Sequence, residues 1–447
     1  MNAFKAYDIR GIYNKDFNKD DVYKIGFFLP EILKTNKILV GRDVRLSSPE
    51  IFEYLCKGIN ASGADVYNIG IATTPMVYFG TGKHDFKGSV QITASHNPKE
   101  YNGLKVSREN AMPVGFDSGL NELEEKVKNE QPIVNKKLGK VIDFDIRTEY
   151  LKFLSTYTPD ISDLRISIDC SNGMAALLIK EVLGNTPEYI FDILDGTFPN
   201  HEPNPLEIEN VHSLMESVKV HKSDIGIIFD GDADRVMFVD NLGKFISPDL
   251  IIAVLGHYFL ENKGIKGNVL QDIRSSKAVG EYLVKMGGEI HTWKVGRAHA
   301  APKLKAIDGV YGGELAGHYY FRDFFYSDSG ILASLLVLQV VKRFKEKGIS
   351  LSQLIGNISS YANSGEINFT IKNKELAMKT VCDYFMSEEK HTAFFNFDGY
   401  RIEFPNWWFN IRPSNTEPYL RFIAEANSQG KLDEIIKTLR KLLAPFQ

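Results

Sequence analysis

Asp224-Ile-Gly-Ile-Ile-Phe229 runs straight into Asp230-Gly-Asp-Ala-Asp-Arg235. An apolar run that ends in a tight polar turn reads as a buried strand followed by a loop at its carboxyl end. The loop carries carboxylates at i, i+2 and i+4, which repel one another unless something positive lies among them. A hard divalent cation, which prefers oxygen ligands, is the natural partner; an acidic surface turn without metal is the plainer alternative. An EF-hand is excluded, because that loop needs Gly at its sixth and Glu at its twelfth position, where this chain has Arg235 and Asn241. Three ligands leave an octahedral magnesium unfinished, so a further oxygen donor, a phosphate, is expected close by.

Outward from this stretch, apolar β-rich runs alternate with helical patterns, which predicts α/β architecture. Lys37-Ile-Leu-Val40, Arg165-Ile-Ser-Ile168 and Asn268-Val-Leu270 each lead to an acidic residue, Asp43, Asp169 and Asp272. A weak internal repeat points to duplication. Asp43-Val-Arg45, followed by Ser47-Ser48, resembles Asp272-Ile-Arg274, followed by Ser275-Ser276. Both precede a predicted helix, and both helices lead to Gly63-Ala-Asp-Val66 or Gly287-Gly-Glu-Ile290. Farther on, Val90-Gln-Ile-Thr-Ala-Ser-His96 takes the place of Val310-Tyr-Gly-Gly-Glu-Leu-Ala-Gly-His318. Three related units are therefore expected to end equivalent strands in three chemically different loops. Ligand sites of open α/β sheets lie at the carboxyl ends of strands, so the three loops can share one cleft. The last stretch differs: strands around Ile367–Phe369 and Tyr419–Ala424 beside helices at Lys374–Phe385 and Leu432–Leu443 predict an α+β unit with its own loop at Arg412. The expected divisions are 1–141, 142–244, 245–362 and 363–447.

Composition narrows the class. The chain has 447 residues, 43% hydrophobic and 25% charged, with a net charge of -4; these are the proportions of a soluble globular protein. That charge gives no reason to expect nucleic acid or an acidic membrane as partner. Cys56, Cys170 and Cys382 are far apart and form neither a zinc spacing nor a disulfide framework, which fits a reducing compartment. Lys5, Asp8 and Arg10 stand where a signal peptide would need an apolar stretch. The longest apolar run, Ile331 to Val341, is too short to span a bilayer and is followed by Lys342-Arg-Phe-Lys345, as the end of a buried helix would be. A cytoplasmic protein is expected.

Four further motifs carry chemistry. Thr93-Ala-Ser-His-Asn-Pro98 follows the strand Gly88-Ser-Val-Gln-Ile92, and Asn97-Pro98 forces a turn beside Ser95. Gly-x-Ser-x-Gly is absent, so a hydrolase nucleophile elbow is not supported. Alone the motif is a polar turn; beside the acidic loop, a phosphorylated Ser95 would supply the missing metal ligand and a phosphoryl group ready to transfer. In Asn102-Gly-Leu-Lys-Val106, Lys105 could orient a hydroxyl, or act as a general base if neighbouring cations lower its pKa, or be a solvated strand lysine. Gly312-Gly-Glu-Leu-Ala-Gly-His318 presents Glu314 and His318; a carboxylate suits sugar hydroxyls, and a plain glycine-rich hairpin is the alternative. Arg412-Pro-Ser-Asn-Thr-Glu-Pro418 gathers donors suited to a phosphate dianion, with no Walker pattern; Arg421 could add a second positive contact. By themselves Arg421 and Arg10 are also explained as surface arginines.

Taken together and in this order, with the opening Phe4-Lys-Ala-Tyr-Asp-Ile-Arg-Gly11, these motifs resemble the α-D-phosphohexomutase superfamily, most nearly its bacterial phosphomannomutase/phosphoglucomutase members, over essentially the whole chain. The resemblance implies three related mixed α/β domains and a C-terminal α+β domain around a central cleft. It implies Ser95 as phosphoserine, with Asp230, Asp232 and Asp234 as Mg²⁺ ligands and the phosphoserine completing the site. Arg235 would contact the phosphoryl group, and Arg10, Lys105 and His96 would line it. Glu314 and His318 would face the sugar. Arg412, Ser414, Asn415, Thr416 and Arg421 would hold the phosphate that is not reacting, with Arg274 and Arg297 as further substrate contacts. The implied reaction interconverts hexose 1- and 6-phosphates, mannose and also glucose, with hexose 1,6-bisphosphate as intermediate and activator. Small-molecule hexose phosphates are the expected partners of a monomer or weak homodimer.

The chain departs from the family's pattern at three places. Ala316 stands where relatives often carry Ser in Glu-x-Ser-Gly-His, Arg297 where they often carry His, and Arg274 where some have Lys. Ala233 and Leu315-Ala316 argue against the phosphoglucosamine branch. That branch, a metal-dependent sugar phosphatase and a non-catalytic sugar-phosphate binder are the competing readings. A remote phosphate clamp is unnecessary for hydrolysis, and no acidic ligand or serine is lost as a mere binder would allow.

Overall fold

The computed structural model describes residues 2–359, 361–414 and 419–447. Four sheets follow one another along the chain, each completed before the next begins. In the first, Lys37–Arg42 pairs in parallel with Asp65–Ile71 and Gly88–Ile92, and Gly88–Ile92 pairs antiparallel with Tyr101–Arg108. In the second, Ile166–Asp169 stands between Glu188–Ile190 and Ile225–Phe229, both parallel, and Ile225–Phe229 pairs antiparallel with Val236–Asp240. In the third, Gly267–Asp272 stands between Gly288–Trp293 and Tyr311–Gly313, both parallel, and Tyr311–Gly313 turns back onto Tyr319–Phe321. The plan is the same three times, as the internal repeat predicts. The carboxyl ends of Gly88–Ile92, Ile225–Phe229 and Tyr311–Gly313 are the starts of the serine loop, the acidic loop and the Glu314 loop.

The first two of those strands are buried along their whole length, which explains their unbroken apolar or small-residue runs. Hydroxyl caps start several of the helices packed around these sheets. Thr73 Oγ1 accepts from the Met76 N–H, Ser276 Oγ from the Ala278 N–H and Ser329 Oγ from the Leu332 N–H; each satisfies a donor the first turn would leave unpaired. The run Ile331–Val341 lies inside the helix Gly330–Glu346, with Arg343 and Lys345 in its last turn. This helix enters a core shared with Met76–Phe79 of the first unit, Ile166, Ile168 and Ile227 of the second, and Ile251–Leu255 of the third. The sheets run slightly past the expected divisions, since Val141–Asp143 pairs in the first and Phe245–Ile246 in the second.

The last unit has its own core, built on Phe369, Trp407, Phe409 and Phe422 under the helices Lys374–Glu388 and Gln429–Leu443. Here one expectation shifts. Arg412 is not on a loop but near the end of the strand Trp407–Pro413, directly opposite Arg421 on Tyr419–Ala426. The apolar run Trp407-Trp-Phe409 with Ile411 keeps the pleat going, and Pro413 ends it. Among the described residues, no helix is long and apolar enough to cross a membrane.

Candidate active site

The serine loop meets the acidic loop across the first and second units. Ser95 is fully buried and has φ +53, left-handed backbone that a non-glycine residue adopts only when its surroundings hold it there. Its N–H donates to Thr93 Oγ1 at 2.9 Å, and its Oγ donates to Asp230 Oδ2 at 2.8 Å. Gly231 is required by this approach: a Cβ there would lie 2.4 Å from the Ser95 carbonyl oxygen. His96 Nδ1 lies 3.4 Å from Ser95 Oγ. Burial, reinforced by Arg235, Arg10 and Lys105, holds the His96 pKa well below the ordinary imidazole range, so at neutral pH the ring is uncharged.

Asp230, Asp232 and Asp234 are all fully buried, with a carboxylate oxygen of each within 4.8 Å of the others. Their partners are few for so much charge. Lys105 Nζ donates to Asp232 Oδ2 at 2.7 Å and to Asp234 Oδ2, and Thr74 Oγ1 donates to Asp232 Oδ2. Asp232 Oδ1 and Asp234 Oδ1 are buried with no hydrogen-bond partner. Buried polar atoms are almost always paired, and carboxylate oxygens left without a donor in such a cluster suit an oxygen-seeking cation. The donor set therefore fits a hard divalent metal. Burial, then Asp232 and Asp234, push the Asp230 carboxyl well above its usual range, against the opposing charges of Arg235 and Lys105. For Asp234, burial works upward, but the charges of its neighbours, Lys105 foremost, outweigh it and hold it low.

Lys105 is placed by the strand Tyr101–Arg108 opposite Gln91. Burial acts to lower its pKa, but Asp232 and Asp234 outweigh burial and raise it. The two roles left open for it thus divide on its neighbours: carboxylates, not cations, surround it, and favour a charged donor over a base. Arg10, on Ile9–Ile12, donates to Asn97 Oδ1 at 2.8 Å and pairs with Asp8.

The third unit joins at Arg235. Its N–H donates to Asp230 Oδ1 at 3.2 Å, and its Nε donates to His318 Nε2 at 2.9 Å. A guanidinium can only donate, so His318 Nε2 is the acceptor and Nδ1 carries the proton it shares with Asp328 Oδ2 at 2.5 Å. His318 thus stands against the acidic loop. Glu314 is buried, accepting from Tyr320 Oη at 2.6 Å and from the Gly296 N–H at 3.1 Å, and burial raises its pKa. Arg297 is tied up within the protein: Nε donates to Asp328 Oδ1 and Nη2 to the Ala111 carbonyl, and the group stacks on Tyr78 at 3.8 Å. It fastens the third unit to the first.

A second basic cluster lies where the third unit meets the fourth. Arg412 Nη1 donates to Asp398 Oδ1 at 3.3 Å, and Arg421 Nη1 pairs with Glu366 Oε1 at 2.9 Å. Arg274, held by Asp272 at 2.7 Å, has its other nitrogen 3.9 Å from Glu366 Oε2. Ser414 follows Pro413 directly; Asn415 and Thr416 lie outside the described residues. The Leu315 N–H donates to Asp272 Oδ2 at 2.8 Å, linking the Glu314 loop to the Arg274 loop.

Several participants were not singled out from sequence. Thr74 and Asp328 gave no local signal, since each meets its partners only in three dimensions. Arg45 had one, the likeness of Asp43-Val-Arg45 to Asp272-Ile-Arg274.

Four family models match the chain in order. The phosphoglucomutase/phosphomannomutase alpha/beta/alpha domains I, II and III cover residues 1–133, 148–243 and 247–361, and the C-terminal domain of the same family covers 366–442. A phosphomannomutase of Methanocaldococcus jannaschii is 36% identical, over 99% of this chain and 98% of its own. A protein of Xanthomonas campestris named for phosphohexose mutases is 36% identical over 97% of each. The crystal structure of a phosphoglucomutase/phosphomannomutase family protein from Burkholderia thailandensis superposes with a TM-score of 0.86 at 26% identity, covering 99% of this chain and 97% of that one.

Proposed function

This chain belongs to the phosphoglucomutase/phosphomannomutase family, a family of phosphotransferase mutases, and we propose that it interconverts hexose 1-phosphate and hexose 6-phosphate, mannose foremost and glucose as well, through phosphorylated Ser95 and a hexose 1,6-bisphosphate. The observation that carries the reading is Ser95 Oγ at 2.8 Å from Asp230 Oδ2, against two partnerless carboxylate oxygens of Asp232 and Asp234. Asp230, Asp232, Asp234 and the phosphorylated Ser95 would hold Mg²⁺, which when bound neutralises charge on the transferring phosphoryl group.

The protein's own groups do the rest by position. A sugar hydroxyl attacks phosphorus as the bond to Ser95 Oγ breaks, with the two oxygens on opposite sides, and the proton lost by the hydroxyl ends on Ser95 Oγ; the return step reverses this exchange. His96, uncharged and 3.4 Å from Ser95 Oγ, would accept the serine proton as Ser95 takes a phosphate back and return it when Oγ leaves. Lys105 and Arg10, both positively charged, and Arg235 line the phosphoryl position as donors. Glu314, buried and held by Tyr320, orients sugar hydroxyls. Arg412, Ser414, Asn415, Thr416 and Arg421, with Arg274 facing them, grip the phosphate that is not reacting. The bisphosphate then turns over and returns its other phosphate to Ser95, so one clamp must accept either end of the sugar. A buried site keeps water from the phosphoserine. Hexose 1,6-bisphosphate serves as activator, and the cytoplasm is the setting we infer.

The test is a steady-state assay with magnesium and trace hexose 1,6-bisphosphate, comparing mannose 1-phosphate, glucose 1-phosphate and phosphoglucosamine. Turnover of the first two is expected, with Ala316 tolerated. Turnover of phosphoglucosamine alone, or release of inorganic phosphate as fast as isomer, would replace this reading with a competing one.

A further inference from the structure

Arg45 bonds to none of the side-chain groups assigned above to substrate or metal, yet every donor of its guanidinium is used beside the site. It is almost fully buried. Its Nη2 donates to the carbonyls of Ser95 at 2.8 Å and Asn97 at 2.7 Å, and its Nη1 to those of Pro98 at 2.7 Å and Tyr101 at 3.0 Å. Nε donates to Asp43 Oδ2 at 3.0 Å. All five guanidinium hydrogens are thereby used. Three of the acceptors are main-chain oxygens of the serine loop and the fourth, that of Tyr101, opens the strand that follows it; a tight turn leaves such carbonyls without ladder partners.

The arginine is itself fixed on every side. Asp43 accepts from the Arg45 N–H at 3.1 Å and from Ser48 Oγ at 2.6 Å, so the aspartate cannot swing away. The ring of Phe198, from the second unit, lies 5.0 Å from the guanidinium. Gly196 lets that segment approach: a Cβ there would meet the Val44 carbonyl at 2.2 Å. The second unit therefore grips the serine loop twice, directly through Gly231 and indirectly through Phe198 on Arg45.

We propose that Arg45 is a positioning residue for phosphoryl transfer, holding the Ser95 backbone in its left-handed conformation so that Oγ faces the acidic loop, and that Phe198 locks it in register with the second unit. This rests on the reading of Ser95 as the phosphoryl carrier. Lysine cannot reproduce the effect: it has three donors on a flexible stem, whereas arginine spans four carbonyls with a planar fork. A misplacement of the reacting oxygen of about 1 Å is enough to slow transfer roughly 100-fold.

The experiment uses the full-length protein as wild type, Arg45→Lys, Phe198→Ala and Asp43→Asn. Phosphorylation of Ser95 by hexose 1,6-bisphosphate is followed by intact mass, kcat and KM by steady-state assay, and folding by thermal melting. Arg45→Lys should lower both kcat and the phosphorylation rate about 100-fold, with KM within twofold of wild type because the phosphate clamp lies elsewhere. Phe198→Ala and Asp43→Asn should each lower kcat about 10-fold with the same unchanged KM, and they decide the matter if Arg45→Lys does not fold. Wild-type phosphorylation rates in any folded variant, or a loss confined to KM, would overturn the proposal. A wild type that turns over hexose phosphates but never carries phosphate on Ser95 would instead sink the underlying reading.

Discussion

Replacing Gly231 by alanine adds one methyl group at the narrowest point between the serine loop and the acidic loop. The new Cβ would sit 2.4 Å from the Ser95 carbonyl oxygen and 3.3 Å from Pro203. Neither neighbour is a flexible side-chain end. The carbonyl is main chain and is held by Arg45 Nη2 at 2.8 Å; the Gly231 carbonyl is itself tied to the Met174 N–H at 2.9 Å. Restoring an ordinary contact requires roughly 1 Å of separation between the loops, which is the scale at which transfer slows about 100-fold. The same overpacking should cost about 1–3 kcal/mol of stability. Gly231 makes no contact with the Arg274–Arg412–Arg421 cluster, so KM for the hexose phosphate should barely change. The assay is kcat and KM for Gly231→Ala alongside a thermal melt. A variant with wild-type kcat would refute the claim that the spacing of these two loops sets the rate, and a large rise in KM would place the damage elsewhere.

Three other outcomes are expected. Asp232→Asn should raise the magnesium concentration needed for half-maximal turnover about tenfold or more, since even outer partners of metal ligands are worth that much; an unchanged magnesium titration would remove Asp232 from the metal set. Glu366→Gln frees the arginines of an exchangeable counter-ion, so KM for hexose phosphates should fall several-fold, in keeping with the worth of about 1 kcal/mol typical of a partly exposed pair; a rise in KM would mean that Glu366 instead holds them in place. Asp249 is fully buried, and burial, then Glu425, push its carboxyl up to about 6. Its folded pKa lies above the unfolded one, so its contribution is present below about pH 4 and lost as pH rises to about 6, some 3 kcal/mol in all. The melting temperature of Asp249→Asn relative to wild type should therefore rise between pH 4 and pH 7, and a difference independent of pH would rule out this titration.

What the sequence disclosed and what it hid divide along one line. The acidic triad was legible because its three carboxylates are neighbours in the chain, and the buried strand before it could be nothing but apolar. The threefold plan was legible because each unit repeats a strand, an acidic turn and a helix at similar spacing. Arg412 was misplaced onto a loop, since a proline and a serine after it look like a turn, whereas pairing with Tyr419–Ala426 keeps it in the strand. The environment of Lys105 was out of reach, because Asp232 and Asp234 approach it from another unit. Arg45 was seen only as half of a repeat. Its acceptors are main-chain carbonyls some fifty residues away, and no side-chain pattern advertises a carbonyl. Asp272-Ile-Arg274 shares the local turn: in both, the aspartate accepts from its arginine's N–H. The arginines then diverge, one toward a loop of its own unit and the other toward the basic cluster near Glu366.

Whether Ser95 carries the phosphoryl group is decided by intact-mass and peptide analysis of wild type and Ser95→Ala after exposure to hexose 1,6-bisphosphate and magnesium. One phosphate on Ser95 is expected in the wild type, discharged on adding mannose 6-phosphate or mannose 1-phosphate, with neither phosphate nor mutase turnover in Ser95→Ala. Phosphate on another residue, or full turnover by Ser95→Ala, would contradict it.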